Sequence, residues 1–243
     1  MYLLLKRVFD VFASFFGLLF LSPLLALILI GIWLEDRGNP FYVATRVGRR
    51  GNFFKMVKFR SMRLNADKTG VSSTKNDDDR ITKMGKIIRA YKLDEFIQLW
   101  NVLRGDMSLV GPRPQVEWAV KRYRPEERML LMARPGITDL ASIVFSDEGD
   151  ILKSSVDPDR DYMRMIHPWK ARLALLSVEK ASFVLDLKII FLTLLSLVDR
   201  RNVLSKISLL MKNLGADSRL LLAVERKSPQ DLLQVPDEWK NVA

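Results

Sequence analysis

A chain of 243 residues, 49% of them hydrophobic, carries enough apolar material for a folded core, which excludes disorder along its whole length. Its 39 Lys and Arg against 28 Asp and Glu give a net charge of +11, which calls for an anionic partner such as nucleic acid, an acidic membrane surface or a phosphorylated substrate. With no Cys and one His, His167, the chain has no disulfides, thiolate nucleophiles or multi-His zinc site, and a Ser-His-Asp hydrolase would have to use His167 as its base.

From Val11 to Leu34 the chain is uncharged for roughly two dozen residues, enough to cross a bilayer of about 30 Å as a helix. A signal peptide is disfavoured, since the run exceeds an h-region, holds Pro23 and ends at Glu35-Asp36 with no small-residue cleavage site. Lys6 and Arg7 precede the run while Arg46, Arg49 and Arg50 follow it, so positive charge draws both ends to the same side of a membrane. Ser22-Pro23 lies midway, where proline deletes a helix hydrogen bond and a serine hydroxyl can satisfy the freed carbonyl. On pattern alone a straight span and a helix-break-helix that enters and returns stand level.

Phe41 to Met62 reads as a β-hairpin turning at Gly48-Arg49-Arg50-Gly51-Asn52. Alternation on its second arm puts Lys58 and Arg60 on one face, where a solvated basic surface is the commoner outcome. Asn65 to Asp79 is a polar loop by composition, after which Ile81, Met84, Ile87, Ile88 and Tyr91 recur at helical spacing, with Thr82 or Asp79 as cap. Leu93 to Leu103 reads as a second apolar helix. Pro112-Arg113-Pro114 forbids regular helix and makes a rigid loop presenting one arginine. A helix is expected over 117–132, a strand over 137–145, and a long helix from Trp169 to Val198 that either lies buried or lies at a membrane interface. Beyond it, 204–214 reads as one amphipathic segment of a polar tail.

Asp94-Glu95 opens an apolar helix between the cations Arg89 and Lys92 and the segment that follows. Acids in a first turn complement the helix dipole without further function. Adjacent helical side chains also diverge by about 100 degrees, so one carboxylate can face a substrate while its neighbour holds a metal. A carboxylate can attack a phosphoryl centre if cations neutralise the other oxygens, and Mg²⁺ with Arg113, suited to bidentate phosphate contact, would supply them.

The segment Lys92 to Pro114, KLDEFIQLWNVLRGDMSLVGPRP, closely resembles the signature of the bacterial sugar transferases, the monotopic phosphoglycosyl transferases. Agreement extends to Lys58-Phe59-Arg60-Ser61-Met62, Asp79-Arg80-Ile81-Thr82, Arg134-Pro135-Gly136-Ile137-Thr138 and Leu185-Asp186-Leu187-Lys188-Ile189-Ile190, and so covers about Lys6 to Arg201. The resemblance implies an α/β fold: an N-terminal re-entrant membrane helix over 1–36, broken at Ser22-Pro23, then a small α/β catalytic domain with amphipathic interfacial helices over 37–201, and a tail of unknown role over 202–243. It places the protein on the cytoplasmic face of a bacterial inner membrane.

It further implies ping-pong chemistry at the first membrane step of bacterial polysaccharide or glycan assembly. Asp94 would attack the β-phosphate of a UDP-sugar and release UMP, Glu95 would hold Mg²⁺, and polyprenyl (undecaprenyl) phosphate would take the sugar phosphate from Asp94. Lys58, Arg60, Arg89 and Arg113 become candidates for phosphate and carrier contacts; membrane lipid is an expected partner, nucleic acid is not, and a homodimer is compatible. The sequence departs from the family at Lys92 (Ser or Thr), Ile97 (Pro), Asp139 (Gly), Ser142 (Gln), Ala174 (Asp) and Ser177 (Tyr), which bears on substrate identity more than on reaction class. The competing reading is a non-catalytic basic module that binds a membrane surface.

Overall fold

The computed structural model describes residues 1–66, 78–236 and 239. The polar stretch expected as a loop between Asn65 and Asp79 lies for the most part outside the described residues. The described chain divides into two compact units, one holding 1–66 with 79–137 and the other running from 138 onward.

The first unit opens with α1 (Tyr2–Asp36), 35 residues that are long and apolar enough to cross a membrane. The break expected at Ser22-Pro23 does not interrupt the helical backbone, because the cost of the proline is met locally. Pro23 lacks the N–H that would reach Leu19, and the Ser22 hydroxyl donates to the Leu19 carbonyl instead, at 2.8 Å. One stripe of α1, with Asp10, Ser14, Leu25, Ile28 and Ile32, is buried, while Phe12, Phe16, Leu19, Phe20, Leu27 and Ile30 are exposed.

Next comes the expected hairpin, β1 (Phe41–Val47) against β2 (Phe53–Phe59), antiparallel with Tyr42 opposite Lys58 and Arg46 opposite Phe54. Its turn needs left-handed backbone at Arg50 (φ 59°) and Gly51 (φ 79°), the second of which glycine adopts at no steric cost. Then follow α2 (Lys83–Ala90), capped by Thr82 as expected through its hydroxyl accepting from Gly85 N–H at 2.9 Å, and α3 (Leu99–Arg104). Between them Leu93–Gln98 is a 3-10 turn, so the second apolar helix starts later than its composition implies. A core of Leu25, Ile28 and Ile32 from α1, Phe59 from β2 and Ile88 from α2 joins these pieces.

Short β3 (Ser108–Val110) pairs with β4 (Gly136–Thr138), and α4 (Glu117–Lys121) and a 3-10 turn at Glu127–Met132 lie between them in sequence. The single helix expected over 117–132 is thus split, near Arg124-Pro125, since proline cannot continue the hydrogen-bond ladder. The strand expected over 137–145 ends early at Thr138.

The second unit continues with α5 (Leu140–Val144), α6 (Glu148–Ile151) and α7 (Pro158–Asp161), a π-helical stretch at Tyr162–Ile166, α8 (His167–Glu179), α9 (Phe183–Ser196), α10 (Arg200–Asn213) and α11 (Ser218–Glu225). Two of the departures from the family form one local device: Asp139 caps α5 by accepting from both the backbone N–H and the hydroxyl of Ser142, each at 2.7 Å. The long helix expected from Trp169 to Val198 is two helices, because Ser182 caps a fresh start by accepting from Leu185 N–H at 3.2 Å. The tail holds two helices rather than one segment, and the Trp169 indole N–H donates to the Leu232 carbonyl at 2.9 Å.

Candidate active site

The chemistry-bearing residues gather in the first unit around the 3-10 turn at Leu93–Gln98. Two features aim that turn. At the end of α2 the chain reverses through Lys92 in left-handed backbone (φ 54°), and Glu95 N–H donates to the Lys92 carbonyl at 3.2 Å. The turn then packs on β2, which α3 holds through the fully buried Asn101: its side chain accepts from Val57 N–H at 3.0 Å and donates to the Lys55 carbonyl at 2.7 Å. Lys58 follows on that strand and reaches both acids, with Nζ 3.7 Å from Asp94 Oδ2 and 3.3 Å from Glu95 Oε1.

Arg113 closes the site from the other side, its Nη2 lying 2.5 Å from Glu95 Oε1. The loop that carries it is pinned on both flanks: Gly136 N–H donates to the Pro112 carbonyl at 3.0 Å and Val47 N–H to the Gln115 carbonyl at 2.9 Å. Underneath, two glycines allow backbones to touch. A Cβ on Gly111 would sit 2.3 Å from the Arg134 carbonyl oxygen, and one on Gly136 would sit 2.1 Å from Gly111 N, so neither position accepts a side chain.

The neighbouring carboxylates are driven in opposite directions. Burial pushes Asp94 above the ordinary carboxylate range, reinforced by the negative charge of Glu95 and opposed by Lys58, Arg89 and Arg113. Burial acts on Glu95 as well, but Arg113 and Lys58, with help from Lys92, outweigh it and hold Glu95 well below that range. Four cations therefore surround two acids, leaving a surplus of positive charge where a multiply charged anion would be neutralised. Such a pair fits a division of labour in which Glu95 stays a fixed anion and Asp94 is the more basic oxygen nucleophile once ionised.

Of the residues singled out by sequence, Lys58, Asp94, Glu95 and Arg113 are in direct contact and Arg89 is near enough to act on the Asp94 charge. Arg60 is elsewhere. β2 ends at Phe59, and Arg60, 6% exposed, forms a two-pronged ion pair with Asp36 at the end of α1 and donates to the Asn39 carbonyl at 2.7 Å. Ser22 and Pro23 lie within α1, and His167 is buried against Tyr162 in the second unit, with ring centres 6.2 Å apart.

Arg46 went unremarked as a site residue, although the alternation of β1 sets it with Tyr42, the partner of Lys58. Burial and the nearby Arg113 lower its proton affinity, while Tyr42 opposes that. Glu35 also went unremarked: its two oxygens accept from Lys83 N–H at 2.8 Å and Met84 N–H at 3.2 Å, so the end of α1 caps the start of α2.

Among the described residues no three Asp, Glu or His side chains cluster as a self-sufficient metal cage. The donor set fits Mg²⁺ in the other common form, one or two carboxylates completed by substrate phosphate oxygens and water. Lys58 and Arg113 both engage Oε1 of Glu95, and Oε2 takes part in neither contact.

The chain is similar in sequence to several known proteins. The chain is 36% identical over 204 residues to UDP-glucose:undecaprenyl-phosphate glucose-1-phosphate transferase of Caulobacter vibrioides, covering 81% of this chain and 71% of that one. It is 33% identical to UDP-N-acetylgalactosamine-undecaprenyl-phosphate N-acetylgalactosaminephosphotransferase of Aeromonas hydrophila (69% of this chain, 41% of that one). To undecaprenyl-phosphate galactose phosphotransferase of Salmonella typhimurium it is 42% identical (56% and 32%), so it spans less than half of these two longer relatives. Residues 1–200 match the family described as bacterial sugar transferase, a match that takes in the hairpin, the acidic pair and the Pro-Arg-Pro loop alike, and the chain belongs to that family.

Proposed function

We propose that the protein transfers a sugar 1-phosphate from a UDP-sugar to undecaprenyl phosphate through a covalent intermediate on Asp94. The observation that carries this reading is the pair of adjacent, largely buried carboxylates Asp94 and Glu95 contacted by Lys58 and Arg113. The relatives' names supply the donor and acceptor classes.

In the first half-reaction an Asp94 carboxylate oxygen forms a bond to the β-phosphorus of the donor while the bond from that phosphorus to the bridging oxygen breaks, and UMP leaves with the electron pair. In the second, a phosphate oxygen of undecaprenyl phosphate attacks the same phosphorus and Asp94 departs as carboxylate, giving the diphosphate-linked sugar. Lys58 and Arg113 neutralise the non-bridging oxygens, and the rigid loop holds the Arg113 fork in place. Arg89 offsets charge at the nucleophile. Glu95, ionised at any working pH, would hold Mg²⁺ through Oε2; the metal, when bound, supplies charge neutralisation on the diphosphate.

The exposed apolar faces of α1 fit insertion in a bilayer. A re-entrant path would keep both basic flanks on the cytoplasmic side, and α9 would lie along the interface. The deciding experiment measures UMP release by the full chain in nanodiscs, with undecaprenyl phosphate, Mg²⁺ and a panel of UDP-sugars. Release with one donor, abolished in Asp94→Asn and by EDTA, is the expected result. No release above the Asp94→Asn background from any donor, with folded protein, would overturn the assignment and favour a lipid-binding module.

A further inference from the structure

Helices α9 and α10 are joined by a short turn and run back along each other in the second unit. Between them lies a shallow, open groove of about 250 Å³ lined by Lys188, Phe191 and Leu192 from α9 and by Lys206, Leu209 and Leu210 from α10. Asn213 also lines it.

The chemistry of this lining is selective. Its walls are hydrocarbon, the stems of two exposed lysines included, one from each helix, and among the described residues neither Lys188 nor Lys206 has a carboxylate within 4.0 Å, so both ammonium groups are available to an anion at the groove's edge. A purely apolar occupant would leave both charges unmatched, and a small hydrophilic anion would leave the apolar walls wet. An occupant that answers both must carry hydrocarbon and a negative charge in one molecule. Next to the groove, α9 exposes Val184, Leu187, Phe191 and Leu194, a stripe at helical spacing that continues the apolar surface out of the groove.

We propose that the α9–α10 groove binds one anionic phospholipid, an acyl chain lying along Phe191, Leu192, Leu209 and Leu210 and the headgroup phosphate held by Lys188 and Lys206. The family match ends at residue 200, where α10 begins, so half of this site is built from the part of the chain that the family match leaves out. The site is in the second unit, and its existence does not depend on the transferase reading. A lysine near an anionic lipid surface is stabilised by about 1 kcal/mol, so the two lysines together favour an anionic over a zwitterionic lipid.

The test uses the full chain in a neutral detergent, with native mass spectrometry counting retained lipid as phosphatidylglycerol or phosphatidylcholine is titrated in. The protein should retain one phosphatidylglycerol at concentrations where phosphatidylcholine is not held. Lys188→Gln with Lys206→Gln, exposed helical positions where glutamine is a good helix former, should weaken that retention roughly thirtyfold with unchanged circular dichroism. Lys153→Gln with Lys227→Gln, outside the groove, should not. Leu209→Asn should weaken it too, because the chain contact is lost while both charges remain. Equal retention of the two lipids, or an unaltered count in the double lysine variant, would overturn the proposal. So would displacement of the lipid by millimolar inorganic phosphate, which would make the site a phosphate site, or a dimer that the Leu209 variant dissolves, which would make the groove a contact between copies.

Discussion

Two acid–base clusters of the first unit use the same ingredients to different ends. At the end of α1, Asp36 meets Arg60 in a two-pronged ion pair, Arg60 also donates to the Asn39 carbonyl, and Glu35 caps α2; each charge has its partner. At the 3-10 turn, Lys58 and Arg113 converge on one oxygen of Glu95, four cations face two acids, and Asp94 is left with a raised proton affinity. A closed ion pair fixes the chain, whereas a site with surplus charge is complete only with a substrate. Matching of charge, more than its presence, separates the two.

The sharpest way to break the contrast is at the nucleophile. Asp94→Asn keeps the shape and the cations but removes the attacking oxygen, and UMP release should fall by about a thousandfold or more. Arg113→Lys keeps one positive charge and loses the fork; kcat/KM should fall by about a hundredfold, measured by the same release assay. At the closed cluster the loss belongs to folding. Arg60→Ala leaves Asp36 without its two-pronged partner and should lower stability by about 1–3 kcal/mol, read in a thermal melt in detergent.

The smallest effect concerns a third kind of carboxylate, the cap of α11. Asp217 accepts from Leu220 N–H at 2.9 Å and pairs with Arg172 at 2.5 Å; burial raises its proton affinity, but these contacts win and hold it below its ordinary value of 3.8. A lowered folded value means that the contribution is present above about pH 4 and fades as the pH falls through the folded value. Asp217→Ala should therefore cost about 1 kcal/mol at pH 7, and the gap between the two melting curves should close on acidification. A gap that persists at pH 2 would show that the cap acts through something other than charge.

What could be read in the sequence was mostly local. The hairpin, the Thr82 cap, the rigid arginine and the acidic pair each follow from residues within a few positions of one another, and each is present in the structure. Reading Lys58 and Arg60 as one face failed to hold because a strand pattern does not announce its last residue: β2 ends at Phe59, and Arg60 turns to a partner 24 positions away. Asn101 and Glu35 carry the same lesson, since their partners lie 44 to 49 positions off, beyond any periodicity. Helix ends were missed at Lys180-Ala181-Ser182 because an apolar pattern runs across a break that a single serine cap makes stable.

Glu35 and Asp36 have a mechanical consequence. The last turn of α1 is fastened to the start of α2 and to the end of β2, and the far end of α2 together with Lys58 of β2 hold the acidic turn. Were α1 seated in a bilayer, a change in its tilt would move the acidic turn as well, and the thickness of the surrounding lipid would set the height of Asp94 above the membrane surface. Turnover should then vary with acyl-chain length in the nanodisc while donor affinity stays constant, a dependence set by the lipid rather than by any contact with the substrate.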